Sequence, residues 1–147
     1  LVPYQRYGSY NRSFVQLTNL IGNTYYRFKV QAINALGVGN VSESTWMVLT
    51  LPIVPVAPEA PEVEEVQQYA MLLNWSAPVY DGGSPVLSYI LSVYDVSNAA
   101  PTHVPAAAIR DIALNETEVW VTGLLGFHLY AFKVRAVNDV GGSSYSL

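Results

Sequence analysis

The sequence predicts an all-β chain of small antiparallel sandwiches in tandem, and three observations predict it. The first is a hydrophobic period of two. Tyr130, Phe132, Val134 and Ala136 fall on one face of an extended segment, with Ala131, Lys133 and Arg135 on the other, the pattern of a half-buried strand. The second is an internal repeat. Tyr26-Arg27-Phe28-Lys29-Val30-Gln31-Ala32-Ile33-Asn34 returns 104 residues later as Tyr130-Ala131-Phe132-Lys133-Val134-Arg135-Ala136-Val137-Asn138, and a unit of about one hundred residues suits a β-sandwich. The third is punctuation by Gly and Pro at Pro78, Asp81-Gly82-Gly83, Pro85, Gly123, Gly126 and Gly141-Gly142, with no helical periodicity longer than about two turns.

The elements follow in order. In the first copy, Tyr26, Phe28, Val30 and Ala32 form an inward stripe, with Arg27, Lys29 and Gln31 outward. The offset of 104 also aligns Thr18 with Thr122, Leu20 with Leu124, Gly22 with Gly126, Gly37 with Gly141 and Ser42 with Ser146. Then Pro52, Pro55, Pro58 and Pro61 recur at every third residue. Polyproline II has three residues per turn, so residues 52–60 read as a semi-rigid spacer. The same prolines could instead flank a first strand and block edge pairing. In the second copy the inward stripes are Met71, Leu73 and Trp75, then Tyr89, Leu91 and Val93, then Val119 and Val121.

These readings divide the chain into residues 1–51, the last strands of a first unit; 52–60, a Pro-rich linker; and 61–147, a second unit whose last strand has only just begun at Leu147. Residues 1–50 carry an apolar face without an opposing sheet, and such a half-sandwich cannot bury its stripe alone. The covering strands are expected to precede Leu1 in the natural polypeptide, or to come from another chain.

The second copy resembles the fibronectin type III family. Pro61 looks like the opening of strand A, and Leu73-Asn74-Trp75-Ser76-Ala77-Pro78 like strand B with its core tryptophan. Asp81-Gly82-Gly83-Ser84-Pro85-Val86 is similar to the B–C turn, Tyr89 to the strand C tyrosine, Thr122-Gly123-Leu124 to the E–F corner, and Tyr130 to Asn138 to strand F. Residues 13–50 resemble strands E, F and G alone. Neither E–F loop carries the family's usual proline, and the alanine- and proline-rich stretch from Asp95 to Ala108 leaves the edge strand unassigned. The resemblance implies an immunoglobulin-like β-sandwich in tandem modules. It implies a structural core of Trp75, Tyr89, Leu124, Tyr130, Phe132 and Val134 in the second module, and of Leu20, Tyr26, Phe28 and Val30 in the first. It also places Tyr26 and Tyr130 at tyrosine-corner positions, where the phenol bonds backbone across the E–F turn. The same tyrosines could alternatively belong to a binding surface. No Arg-Gly-Asp tripeptide is present, so integrin binding is not implied.

Composition sets the functional class. Hydrophobic residues make up 51% and charged residues 12%, the net charge is −4, and Lys29 and Lys133 are the two lysines. A nucleic-acid or anionic-membrane partner would need a basic patch that this chain does not have. No apolar run approaches the roughly 18 residues of a membrane span. With no cysteine, disulfides, thiolate metal sites and a cysteine nucleophile are excluded. His103 and His128 have no acid at a meaningful sequence spacing, so no catalytic, metal or cofactor site is expected.

Four N-glycosylation sequons, at Asn11, Asn40, Asn74 and Asn115, exceed the one or so that chance would place among nine asparagines. Asn40 and Asn115 read as loop residues and Asn74 as a strand residue opposite Trp75. Eleven tyrosines, including Tyr80, Tyr94 and Tyr145, suggest contact surface. Trp120 should point outward and is the candidate contact residue. The expected role is a non-catalytic structural or protein-interaction array, extracellular or at the cell surface, carrying N-linked glycans and binding other modules or subunits. The alternatives are a cytoskeletal or ciliary scaffold and a spacer or carbohydrate-binding module of a secreted enzyme.

Overall fold

The computed structural model describes residues 15–97 and 109–147; Asn11 and His103 lie outside them. The described residues contain eleven strands and no helix. The first group comprises β1 (Tyr25–Tyr26), β2 (Gln31–Asn34), β3 (Gly37–Val41) and β4 (Val48–Leu49). β1 pairs antiparallel with β4 and β2 with β3, in the registers Tyr26↔Val48 and Ile33↔Val38. Backbone hydrogen bonds from Ser42 to Val30 and from Thr45 to Phe28, at 2.8 and 2.9 Å, join the two ladders into one hairpin.

That hairpin has nothing across from its apolar face among the described residues. Val30 is 72% exposed, Val38 60% and Met47 57%. Of the residues expected in the first module's core, Leu20, Tyr26 and Phe28 are half-buried and Val30 is exposed. The alternation is present, but burial needs a second sheet. Tyr26 and Phe28 stack on each other at 6.2 Å instead.

The second group is a two-layer structure. One sheet has the order β5-β6-β9, from β5 (Glu62–Val66), β6 (Ala70–Asn74) and β9 (Glu118–Thr122). The other has the order β11-β10-β7-β8, from β7 (Ser88–Asp95), β8 (Arg110–Leu114), β10 (Tyr130–Asn138) and β11 (Gly141–Gly142). All pairings are antiparallel, and the arrangement is an immunoglobulin-like sandwich. The edge strand left unassigned by the alanine-rich stretch is β8, beyond that stretch. Past β11, Ser143 and Ser146 still donate to Ala136 and Val134 at 2.8 Å, so pairing along β10 continues to Ser146.

The core lies between these sheets. Leu73, Trp75 and Val121 face Tyr89, Leu91, Val93, Val134 and Ala136, and Leu124 closes one end. Tyr130 and Phe132 are half-buried and pack against this cluster. Trp75 is 5% exposed and meets the Tyr89 ring edge-on at 5.7 Å. Its backbone amide donates to the Thr117 carbonyl at 2.9 Å, which pins the end of β6 to the start of β9.

Replacing Trp75 by Ala removes the largest side chain of this core and leaves a cavity, so it should destabilise the sandwich by about 3–5 kcal/mol. Urea denaturation followed by circular dichroism measures this; a loss below about 1 kcal/mol would remove Trp75 from the core.

Candidate functional site

Four backbone segments converge where the two strand groups meet. They are the corner Gly22–Asn23 before β1, the segment Leu51–Val56, the turn Tyr80–Gly83 between β6 and β7, and the turn Asn138–Gly141 between β10 and β11. The Tyr80–Gly83 turn forms locally. The Asp81 carboxylate accepts a hydrogen bond from the Gly83 amide at 2.8 Å, the side-chain turn that Asp favours. Gly82 and Gly83 take φ of 81° and 78°, left-handed conformations that favour glycine.

The two glycines also admit the neighbouring backbone. A Cβ on Gly82 would lie 2.0 Å from the Ile53 carbonyl oxygen, and one on Gly83 would lie 2.4 Å from the Asn23 Cβ. Gly22 is equally constrained, since a Cβ there would sit 2.8 Å from the Gly82 oxygen. Hydrogen bonds then fasten the joint. Tyr80 Oη donates to the Gly22 carbonyl at 3.0 Å. The amides of Ile53 and Val56 donate to the carbonyls of Gly82 and Tyr80 at 2.9 and 3.1 Å. The proline-spaced segment is thus laid along the second sandwich, with Pro55 and Pro58 buried, and is not a free-standing rod.

Asn138 ties the joint to the sandwich. It is 3% exposed. Its Nδ2 donates to the carbonyls of Ile53 and Asp81, both at 2.8 Å. Its Oδ1 accepts from the amides of Val140 and Gly141 at 2.9 and 3.1 Å. One carboxamide therefore satisfies the linker and two turns. Asn34, its counterpart 104 residues earlier, accepts from the Leu36 amide in the same way but is exposed.

The corners before β1 and β10 have one geometry. Tyr26 Oη accepts from the Ile21 amide and Tyr130 Oη from the Leu125 amide, both at 2.9 Å. Left-handed residues recur at Asn19 (φ 59°) and Gly123 (71°), and at Asn23 (50°) and Phe127 (61°). Ser42 and Ser146 also play one role: their hydroxyls accept from the amides of Val30 and Val134 at 2.9 and 3.1 Å.

Tertiary structure adds a contact invisible in sequence spacing. His128 Nδ1 lies 2.7 Å from Asp95 Oδ2, and both side chains are partly exposed. Ser97 bonds the Asp95 carboxylate through its hydroxyl and through its backbone amide, the latter at 2.9 Å. These bonds from Ser97 first, then the contact with His128, hold the Asp95 carboxyl down at about 2. The Ser97 hydroxyl also accepts from the Leu129 amide at 2.9 Å.

The remaining expectations fall as follows. Trp120 is 40% exposed on the outer face of β9. Asn115 is exposed in the bend after β8, whereas Asn40 lies in β3 and not in a loop, though exposed. Asn74 is half-buried and donates to the Glu64 carboxylate. Among the tyrosines read as contact surface, Tyr80 is in the joint, while Tyr94 is 8% exposed though outside the cluster between the two sheets. Tyr94 is next to last in β7 and is paired with Ala131 of β10. The role of Asn138 was missed; its place at the end of the repeated strand motif was the available signal.

Comparisons with known proteins agree with this architecture. The Fibronectin type III domain family profile matches residues 56–147. M-protein, striated muscle, of Gallus gallus is 31% identical over 142 residues, covering 89% of this chain and 9% of that protein. Protein sidekick-1 of Homo sapiens is 35% identical over 78 residues, covering 53% of this chain and 3% of that protein. The crystal structure of domains A168–A170 from titin superposes with a TM-score of 0.55 at 28% identity, over 84% of this chain and 38% of that one. This chain therefore spans a small fraction of the relatives that it matches.

Two outcomes follow from the geometry. Asn138→Ala removes the side-chain donor from the part-buried carbonyls of Ile53 and Asp81 and the acceptor from the amides of Val140 and Gly141, and should cost about 1–3 kcal/mol, while Asp139→Ala, an exposed change beside it, should stay within about 0.5 kcal/mol. Urea titration of both variants checks this. For Asp95, the folded carboxyl at about 2 lies below its ordinary 3.8. Its contribution is present above roughly pH 4 and is lost as pH falls toward 2. Asp95→Asn should flatten the melting temperature against pH in that window; an unchanged slope would assign the acid sensitivity to other carboxylates.

Proposed function

We propose that this chain, which belongs to the fibronectin type III domain family, is a non-catalytic structural and protein-interaction stretch of a longer modular array. In this reading residues 1–51 complete a first module, residues 52–60 join it to the next, and residues 61–147 form the second. The carrying observation is the joint. Main chain from the first strand group and the linker is hydrogen-bonded to the Tyr80–Gly83 turn, which turns a covalent connection into a positioned one. Contact with other modules or subunits, through Trp120 among others, is the interaction that such an array offers.

The favoured setting is a cytoskeletal filament. What supports it is a relative named for striated muscle that aligns over 89% of this chain, across both strand groups, and the similarity to titin domains. A secreted or cell-surface setting is the second reading, supported by the low charge and by exposed sequons at Asn40 and Asn115. Protein isolated from its native source separates them. Unmodified Asn40 and Asn115 in a cytoskeletal fraction supports the first, and glycan mass on either asparagine overturns it.

The positioned joint has its own test. Spin labels at Lys29 and Glu116 should give a narrow distance distribution. Gly82→Val should broaden it, because even a Cβ at that position meets the Ile53 carbonyl. A distribution equally broad in both proteins would mean that the linker is merely flexible.

A further inference from the structure

We propose that the outer face of the sheet β5-β6-β9 docks laterally on the outer face of β7, β8 and β10 in a second copy of this chain. This contact rests on the reading of Trp120 as a contact residue. It engages sheet faces instead of module ends, so the joint stands without it.

The strand registers order the first face into rows. Glu118, Asn74 and Glu62 stand opposite one another across β9, β6 and β5, and Trp120, Leu72 and Glu65 form the next row. Glu64, at the bulge in β5, accepts from the Asn74 carboxamide. These three strands contain four glutamates and no lysine or arginine, and no described cation lies within ion-pair distance of the four. Carboxylates alone would make an ordinary solvated face. The centre of this one is apolar: Trp120 is 40% exposed and directly across from Leu72, so an indole meets water inside a rim of carboxylates. An aromatic centre within a charged rim is the anatomy of a protein contact.

The opposite charge stands on the other sheet. Its outer rows are Lys133, Ser92 and Asp111, then Arg135, Ile90 and Ala113. The Asp111 carboxylate accepts from the buried Ser92 hydroxyl. Neither Lys133 nor Arg135 has a described carboxylate within ion-pair distance. Arg135 is held in place, with its guanidinium 5.2 Å from the centroid of the Tyr145 ring. Its Nε is buried without a hydrogen-bond partner. A guanidinium so fixed, with donors to spare, suits a carboxylate from outside.

The two faces match in sign and in pitch. Successive rows on one face of a sheet are about 7 Å apart. Glu62 and Glu65 in adjacent rows therefore have the spacing of Lys133 and Arg135 in adjacent rows. Each pair has an apolar step beside it, Leu72 and Trp120 on one face, Ile90 and Ala113 on the other. The surfaces that meet are different, so the contact is heterologous and passes from copy to copy instead of closing on a pair. It is also small. Three strands of five residues cover roughly 14 by 17 Å, a weak contact that many modules in parallel would multiply.

Charge exchange tests the contact. The double variant Lys133→Glu, Arg135→Glu has two acidic faces, and the double variant Glu62→Lys, Glu65→Lys keeps the native basic face and loses the acidic one. Neither should associate with itself. Mixed, they restore one native contact, the acidic face of the first on the basic face of the second. With the first isotope-labelled and the second added unlabelled, nuclear magnetic resonance shifts are expected at the Trp120 indole and at the amides of Leu72 and Asn74, and high salt should abolish them. Trp120→Ala in the labelled chain should weaken binding about tenfold at unchanged charge. Lys133→Glu alone, which leaves Arg135 on Tyr145, replaces the first double variant if circular dichroism shows that one unfolded, with the same shifts expected. No shifts, or shifts scattered over the chain and indifferent to Trp120→Ala, would overturn the proposal. So would self-association of either double variant that persists in high salt, which would assign the contact to the uncovered stripe of the first hairpin. The spin-label result at the joint is independent of all these outcomes.

Discussion

An apolar stripe on one face of a β-sheet has to be covered by a second sheet, and both halves of this chain are governed by that constraint. Between residues 61 and 147 it is met. Leu73, Trp75 and Val121 from one sheet close on Tyr89, Leu91, Val93 and Val134 from the other. Between residues 15 and 50 it is not met by any described residue, and Val30, just before β2, faces solvent while its counterpart Val134 in β10 is completely buried. Identical local patterning thus produces opposite burial. The stripe specifies which face seeks cover, and the opposing sheet decides whether burial occurs.

The joint works by a different principle. Little apolar surface is involved; main chain meets main chain at distances that only glycine permits, at Gly22, Gly82 and Gly83. Polar backbone brought so close must be paired, and Tyr80, Asn138 and the amides of Ile53 and Val56 do the pairing. Orientation is therefore held by a short list of hydrogen bonds between fixed turns. The prolines limit what the segment can do when undocked, but the docking sets where it lies. A chain with 12% charged residues has few ion pairs available for the same purpose.

The repeated residues divide into two kinds. Tyr26 and Tyr130, like Ser42 and Ser146, serve the same local purpose in each copy: a hydroxyl accepting a backbone amide where the ladder is interrupted. Asn34 and Asn138 share the acceptor half of their role but differ in the donor half, because Asn138 has a linker and a turn within reach and Asn34 has none among the described residues. Gly22 and Gly126 differ in the same way. A Cβ on Gly22 would meet the Gly82 oxygen at 2.8 Å, whereas one on Gly126 would meet only ordinary contacts.

Much of this was legible in the sequence, for a physical reason. Period-two stripes, turn glycines and the 104-residue recurrence determined the strands and the sandwich class, and the resemblance to the fibronectin type III family added Trp75 as a core residue and the two tyrosine corners. What the sequence could not supply was anything created by two distant segments meeting. The Asp95–His128 contact joins the end of one strand to a loop 33 residues later, and the grip of Asn138 on Ile53 spans 85. The burial of Tyr94, the exposure of Val30 and the docking of the proline segment are of the same kind. Such features depend on which surfaces face each other and how closely, a matter decided only when the whole chain has packed.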